Sequence, residues 1–155
     1  MSELEVGKKV PDFSLPATGD QTISLTSLQG KNVVIYFYPK DSTPGCTTES
    51  QNFRDLSDEF AACNTVIIGV SRDGLKSHEN FKAKQSLPFD LISDKEEELC
   101  KLFDVIKLKK LYGREYMGIE RSTFLIDADG VLREEWRKVK VAGHAEAVLD
   151  AAKAL

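Results

Sequence analysis

The run Val33-Val34-Ile35-Tyr36-Phe37-Tyr38, set between Gly30-Lys31-Asn32 and Pro39, limits the folds open to this chain more than any other segment. β-Branched and aromatic residues fit a pleated strand, and an unbroken apolar run without alternation means that both faces of the strand are covered. A strand covered on both faces needs a layer of structure on each side. Thr65 to Val70 repeats the pattern. Between the two runs, Phe53, Leu56 and Phe60 fall at i, i+3 and i+7, the stripe of a helix. Asn64 is placed to close that helix.

The rest of the chain continues the alternation. Leu75 to Ser86 reads as a helix ended by Leu87-Pro88, and Leu91-Ile92-Ser93 as a short strand. Asp94 with Glu97 three residues on resembles a capping box, with Leu99, Leu102 and Phe103 as the buried face of the helix that follows. Glu96, Glu97 and Glu98 suit the positive end of that helix. Ser122 to Ile126 and Val131 to Val139 form strands around the Asp127-Ala128-Asp129-Gly130 turn. Ala145, Val148, Leu149 and Ala152 stripe a final helix. At the other end, Phe13-Ser14-Leu15 and Thr22-Ile23-Ser24-Leu25 make a hairpin about Thr18-Gly19-Asp20. Lys107 to Gly118 is the least regular stretch, and Lys107-Leu108-Lys109-Lys110 reads as a solvated loop. Helices alternating with buried strands, closed by a hairpin, give an α/β domain with a central mixed sheet. The 155 residues, without repeat or linker, read as one domain, 1–155.

Composition removes several function classes. With 21 basic and 25 acidic side chains the net charge is -4, which offers no footprint for nucleic acid. No apolar run approaches a membrane span, and Met1 to Lys9 has no apolar core of a signal peptide. Three cysteines at wide spacing do not make a disulfide scaffold, which places the chain in a reducing compartment, most simply the cytoplasm. Three cysteines and two histidines without ligand spacing argue against zinc, and no cofactor is expected. His78 and His144 read as surface residues.

The chemistry concentrates where the first buried strand ends. Pro39-Lys40-Asp41-Ser42-Thr43-Pro44-Gly45-Cys46 runs from that strand through a turn and delivers a cysteine to the first turn of a helix. The first amide groups of a helix lack partners, and the aligned peptide dipoles leave positive charge there, so a thiolate is favoured at that position. Pro44 fixes the turn, and Gly45 leaves room for a substrate to reach the sulfur. The Thr43 hydroxyl lies three residues before the thiol, placed to donate to the thiolate or to a bound oxygen. Glu49, one turn after Cys46, mainly suits the helix dipole. Tyr36 and Tyr38 read as core or as pocket wall.

This segment is similar to the peroxiredoxin pattern P-x-x-x-T-x-x-C. Tyr36 to Lys40, Cys46-Thr47-Thr48-Glu49, Pro11 to Pro16, Ser93-Asp94 and Arg121 to Asp127 resemble the bacterioferritin comigratory (peroxiredoxin Q) subgroup. The resemblance implies a thioredoxin-like fold and a peroxidase acting on hydrogen peroxide and organic hydroperoxides. It implies that Cys46 attacks the peroxide and becomes a sulfenic acid, that Thr43 orients the substrate, that Arg121 sets its guanidinium beside the sulfur, and that Pro39 shields the site. It also implies a monomer whose partners are a hydroperoxide and an external thiol such as thioredoxin, glutaredoxin or a small thiol.

One departure matters. Many members of the subgroup carry a second cysteine five residues after the first, where this chain has Gln51; others place it in the next helix, near Phe81 to Lys84, where no cysteine stands. Five helical residues rise about 7.5 Å, beyond the roughly 4.4–6.8 Å Cα separation of a disulfide, so such a pair closes only if the helix unwinds. Cys63 and Cys100 remain, and both read as structural thiols. Without a resolving partner the expectation is a one-cysteine mechanism. A dithiol oxidoreductase would need Cys-x-x-Cys, and position 49 is Glu. A peroxide sensor that relays oxidation to a partner protein would use the same Cys46 and stays open.

Overall fold

The computed structural model describes residues 4–155; the first three residues of the Met1–Lys9 start lie outside that range. The apolar run forms β3 (Asn32–Phe37), an inner strand of a seven-stranded sheet. It pairs in parallel with β4 (Thr65–Ser71), from Asn32↔Thr65 to Phe37↔Val70, and antiparallel with β8 (Ser122–Ile126). β5 (Asp90–Ser93) lies parallel to β4, and β9 (Leu132–Trp136) closes the far edge against β8. The N-terminal hairpin, β1 (Ser14–Ala17) and β2 (Gln21–Ser24), joins the near edge through Ala17↔Ile92. The sheet is therefore mixed, the helices flank it, and the fold is thioredoxin-like.

The double burial of β3 splits the core into two layers. Val33, Ile35 and Phe37 pack with Phe124, Phe103, Leu99 and Cys100 on one face. Val34, Tyr36 and Tyr38 pack on the other with Cys46, Phe53, Phe60, Phe81 and Val148. Successive side chains of a strand point to opposite faces, so the alternation along β3 assigns each thiol to a side. The second layer is roofed by α1 (Pro44–Asp55), α2 (Ser57–Ala62), α3 (Leu75–Gln85) and α5 (His144–Lys153). Phe53 stacks on Tyr36 with ring centroids 4.8 Å apart, which seats α1 over β3. Gly69 in β4 leaves room for that ring: a Cβ there would lie 2.7 Å from Leu91 and 2.9 Å from Tyr36.

Four local expectations need correction. The Phe53–Leu56–Phe60 stripe belongs to two helices, because Leu56 (φ -104, ψ 4) breaks the path between α1 and α2. Asn64 does close α2, at φ 58, a left-handed conformation that Asn tolerates. Asp94 is not the residue before its helix. α4 (Glu98–Leu102) begins later, and the Asp94 carboxylate reaches forward to accept the amides of Leu99 (3.1 Å) and Cys100 (2.7 Å). Lys107 to Gly118 is neither irregular nor a loop. β6 (Ile106–Leu111) and β7 (Arg114–Ile119) form a separate two-stranded hairpin whose turn, Tyr112-Gly113, has positive φ at both residues (51 and 76). That is the geometry of a tight hairpin turn, but Tyr occupies the place where Asn or Asp usually announces one. Finally, His78 and His144 are buried, at 0% and 6% exposure, because each ring finds hydrogen-bond partners inside the protein.

Candidate active site

The loop between β3 and α1 carries the site. Tyr38 extends the ladder by one bond, its amide donating to the Val70 carbonyl (3.1 Å). Pro39, half-buried, then turns the chain off the sheet, and Ser42 takes a positive φ of 63. Thr43 is the residue before the helix, in extended conformation, and Pro44 fills the first helical position, where its missing N–H costs nothing. The Thr47 amide closes the first turn on the Thr43 carbonyl (2.9 Å). Cys46 is thus the third residue of α1, in the turn whose amides are unpaired, and its side chain is buried.

The fold brings Arg121 to this sulfur across 75 positions of sequence. β8 pairs with β3 in register Phe37↔Ser122, so the residue just before β8 emerges at the end of β3 where the loop begins. The guanidinium divides its fork: Nη2 donates to Cys46 Sγ (3.4 Å) and Nη1 to Glu49 Oε1 (2.6 Å). Gly45 eases that approach, since a Cβ there would stand 3.1 Å from Nη2, a tight contact from which the guanidinium would have to give. Room for the arginine is therefore a second reason for the glycine, beside the access for substrate expected from the sequence.

Glu49 is more than a carboxylate suited to the helix dipole. It is 1% exposed, and Oε2 has no hydrogen-bond partner among the described residues. Burial pushes its carboxyl up to about 7, with the charge and hydrogen bond of Arg121 working against that rise. For Arg121 burial acts against the cation, but Glu49 and Cys46 outweigh it and hold its proton more tightly than usual. The guanidinium is therefore a fixed positive charge between a sulfur and a carboxyl group.

Thr43 points elsewhere than expected. Its hydroxyl donates to the Lys40 carbonyl (2.8 Å), so its single proton is committed and its lone pairs are left to accept. His144, missed by the sequence reading, lies behind the site. Thr123 Oγ1 and His144 Nε2 are 2.8 Å apart, and burial, aided by the Arg121 charge, pulls the imidazole down to about 4.

The other thiols are remote. Cys100 lies in the core layer on the opposite side of β3 from Cys46. Burial, with Asp94 adding to it, pushes its thiol far up. Cys63 ends α2, donating to the Phe60 carbonyl (3.3 Å), two residues before the start of β4. Cys46 follows the opposite end of β3, so the length of a six-residue strand, roughly 16 Å, separates the two ends. Gln51 donates Nε2 to Gln85 Oε1 (2.8 Å) and ties α1 to α3 by an amide pair.

Residues 6–135 match the AhpC/TSA family. The chain is 53% identical over 150 residues to peroxiredoxin Bcp of Bacillus subtilis (strain 168), covering 97% of this chain and 96% of that protein. It is 54% identical over 151 residues to peroxiredoxin Bcp of Xanthomonas campestris pv. campestris, covering 97% and 94%. Among solved structures it is similar to the Xanthomonas campestris bacterioferritin comigratory protein, studied for alkyl peroxide reduction, with TM-score 0.90 and 52% identity over 99% of this chain and 98% of that one. A Xylella fastidiosa PrxQ variant gives TM-score 0.93 at 44% identity, over 99% and 98%.

Proposed function

The chain belongs to the AhpC/TSA family, as a thiol-dependent peroxidase of the Bcp/peroxiredoxin Q kind, and from that premise we propose that Cys46 is its peroxidatic thiol, working without a resolving cysteine in the same chain. The supporting observation is the contact of Arg121 Nη2 with Cys46 Sγ at 3.4 Å. The Cys46 thiolate attacks one oxygen of the hydroperoxide; the S–O bond forms as the O–O bond breaks, and the departing oxygen takes a proton and leaves as water or an alcohol. Arg121 offers its fixed charge to the oxygens as negative charge moves onto them, the kind of preorganised donor that lowers a barrier most. Thr43 Oγ1 accepts from the O–H of the substrate and sets its approach, and Pro39 shields the site. The Xanthomonas relative's alkyl peroxide reduction supports organic hydroperoxides as substrates beside hydrogen peroxide.

The sulfenic acid is then reduced by an external thiol. One thiol condenses with Cys46, releasing water and leaving a mixed disulfide; a second thiol displaces Cys46 as thiol. The placement of Cys100 across the sheet and Cys63 at the far strand end supports that route. One chain, acting as a single domain, supplies Cys46, Thr43, Arg121 and Glu49, which supports a monomer, and three unpaired cysteines support a reducing compartment such as the cytoplasm. No helix among the described residues is long and apolar enough to cross a membrane. Peroxide consumption with excess dithiol tests the reading. The native chain turns over repeatedly, Cys46→Ser consumes nothing, and Cys63→Ser and Cys100→Ser keep the first oxidation. A single equivalent consumed per native chain, whatever the thiol supplied, would mark a sensor rather than an enzyme.

A further inference from the structure

A second buried polar cluster lies beside the site and is not needed for the sulfur chemistry itself. The Asp41 carboxylate accepts three hydrogen bonds: Tyr38 Oη at 2.6 Å, Ser77 Oγ at 2.8 Å and His78 Nδ1 at 2.7 Å. His78 Nε2 lies 2.9 Å from the Ile92 carbonyl, which can only accept. Asp41's own amide donates to Asp73 Oδ2 (2.8 Å), and that oxygen also accepts the Ser71 hydroxyl (2.6 Å). Burial works to raise the Asp41 carboxyl, but the hydrogen bond and charge of His78, with the bonds from Tyr38 and Ser77, hold it below the usual range. Because the Ile92 carbonyl can only accept, His78 Nε2 donates to it, and Nδ1 faces the Asp41 carboxylate on the other side of the ring.

These bonds come from α3 and from the β3, β4 and β5 ends, and they converge on one residue of the active loop. Asp41 follows Lys40, whose carbonyl holds the Thr43 hydroxyl, and it precedes Ser42 in its left-handed conformation. A loop with one left-handed residue and two prolines has few local bonds to define it. Here its midpoint is tied instead to a fully buried imidazole on a neighbouring helix.

We propose that Asp41 and His78 form a positioning unit for peroxide: by pinning the midpoint of the Pro39–Pro44 loop to α3 and β5, they hold the Lys40 carbonyl and so aim the Thr43 lone pairs at the substrate. The unit touches neither the sulfur nor the peroxide and acts through Lys40 and Thr43. It rests on the reading of Thr43 given above.

Two rates on the same sulfur separate this role from general support of the fold. Hydrogen peroxide needs an oriented O–H, whereas alkylation of Cys46 by iodoacetamide reads the sulfur without Thr43. Displacing an orienting group by about an ångström costs up to roughly a hundredfold, so Asp41→Ala and His78→Ala slow oxidation by about tenfold to a hundredfold. Their alkylation rate stays near that of the native chain, and the double variant is no slower than the slower single one. Asp41→Asn retains acceptance from Tyr38 and can donate to a neutral His78 Nδ1, and so restores most of the rate. Ser77→Ala removes one donor at a partly exposed position, keeps the protein folded, and slows oxidation alone by a smaller factor. Equal losses in both rates, or an unchanged oxidation rate in Ser77→Ala and in whichever larger variant folds, overturn the proposal. Thr43→Val in the same series keeps the two readings apart. If Thr43→Val is slow and the Asp41 and His78 variants are not, the positioning unit fails alone; if Thr43→Val is also unaffected, the reading of Thr43 fails with it.

Discussion

Replacing Glu49 by Gln isolates the electrostatic cost that the site imposes on the fold. The native carboxyl is buried, Arg121 supplies its bond at 2.6 Å, and Oε2 has no partner among the described residues. Its proton is held up to about 7, against an unfolded value near 4.5. Between those values the folded chain binds more protons than the unfolded one, so stability falls as pH rises through that window and is fully present only below it. The span corresponds to on the order of 3 kcal/mol as an upper figure, at 1.36 kcal/mol per pH unit. Gln keeps the shape and an oxygen to accept from Arg121 but cannot ionise. Urea unfolding of both chains at pH 5 and pH 8, with all thiols kept reduced, gives the test as a difference of differences. The native chain loses more stability between the two pH values than Glu49→Gln does, by up to about 1.5 M in midpoint for a slope near 2 kcal/mol/M. Identical losses in the two chains, or a larger loss in the variant, would refute this electrostatic assignment.

Two glycine substitutions test geometry in different currencies. Gly45→Ala puts a methyl group 3.1 Å from Arg121 Nη2; the guanidinium gives way, its contact with Sγ lengthens, and peroxide oxidation of Cys46 slows by up to about tenfold with little change in stability, measured by stopped-flow mixing and thermal melting. Gly69→Ala forces a methyl group against Tyr36 and Leu91 at 2.9 and 2.7 Å, so it destabilises by about 1–3 kcal/mol in denaturant unfolding.

The parts of the site that are contiguous in sequence were readable there. The apolar run of β3, the turn residues Pro44 and Gly45, and the position of Cys46 at a helix start each follow from local chemistry. Arg121 was reachable only through family resemblance, because β-pairing with a strand some 75 positions away sets its place. His78 and His144 left no local signal: a histidine in a helix looks exposed until the carboxylate, carbonyl or hydroxyl that satisfies it is brought in by another element. Glu49 left no signal for the same reason, since a carboxylate one turn into a solvated helix and one buried under an arginine read alike. The β6–β7 hairpin was missed because its exposed Leu108, Leu111, Tyr116 and Met117 interleave with lysines and give no buried face.

The decisive measurement is mass spectrometry on the native chain after one equivalent of hydrogen peroxide, with a sulfenic-acid trap and no reductant present. A single oxygen trapped on Cys46, with Cys63 and Cys100 still free thiols, is the expected result. A disulfide joining Cys46 to Cys63 or Cys100 within one chain, or first oxidation at either of those two, would contradict a lone thiol served by Arg121 and regenerated from outside.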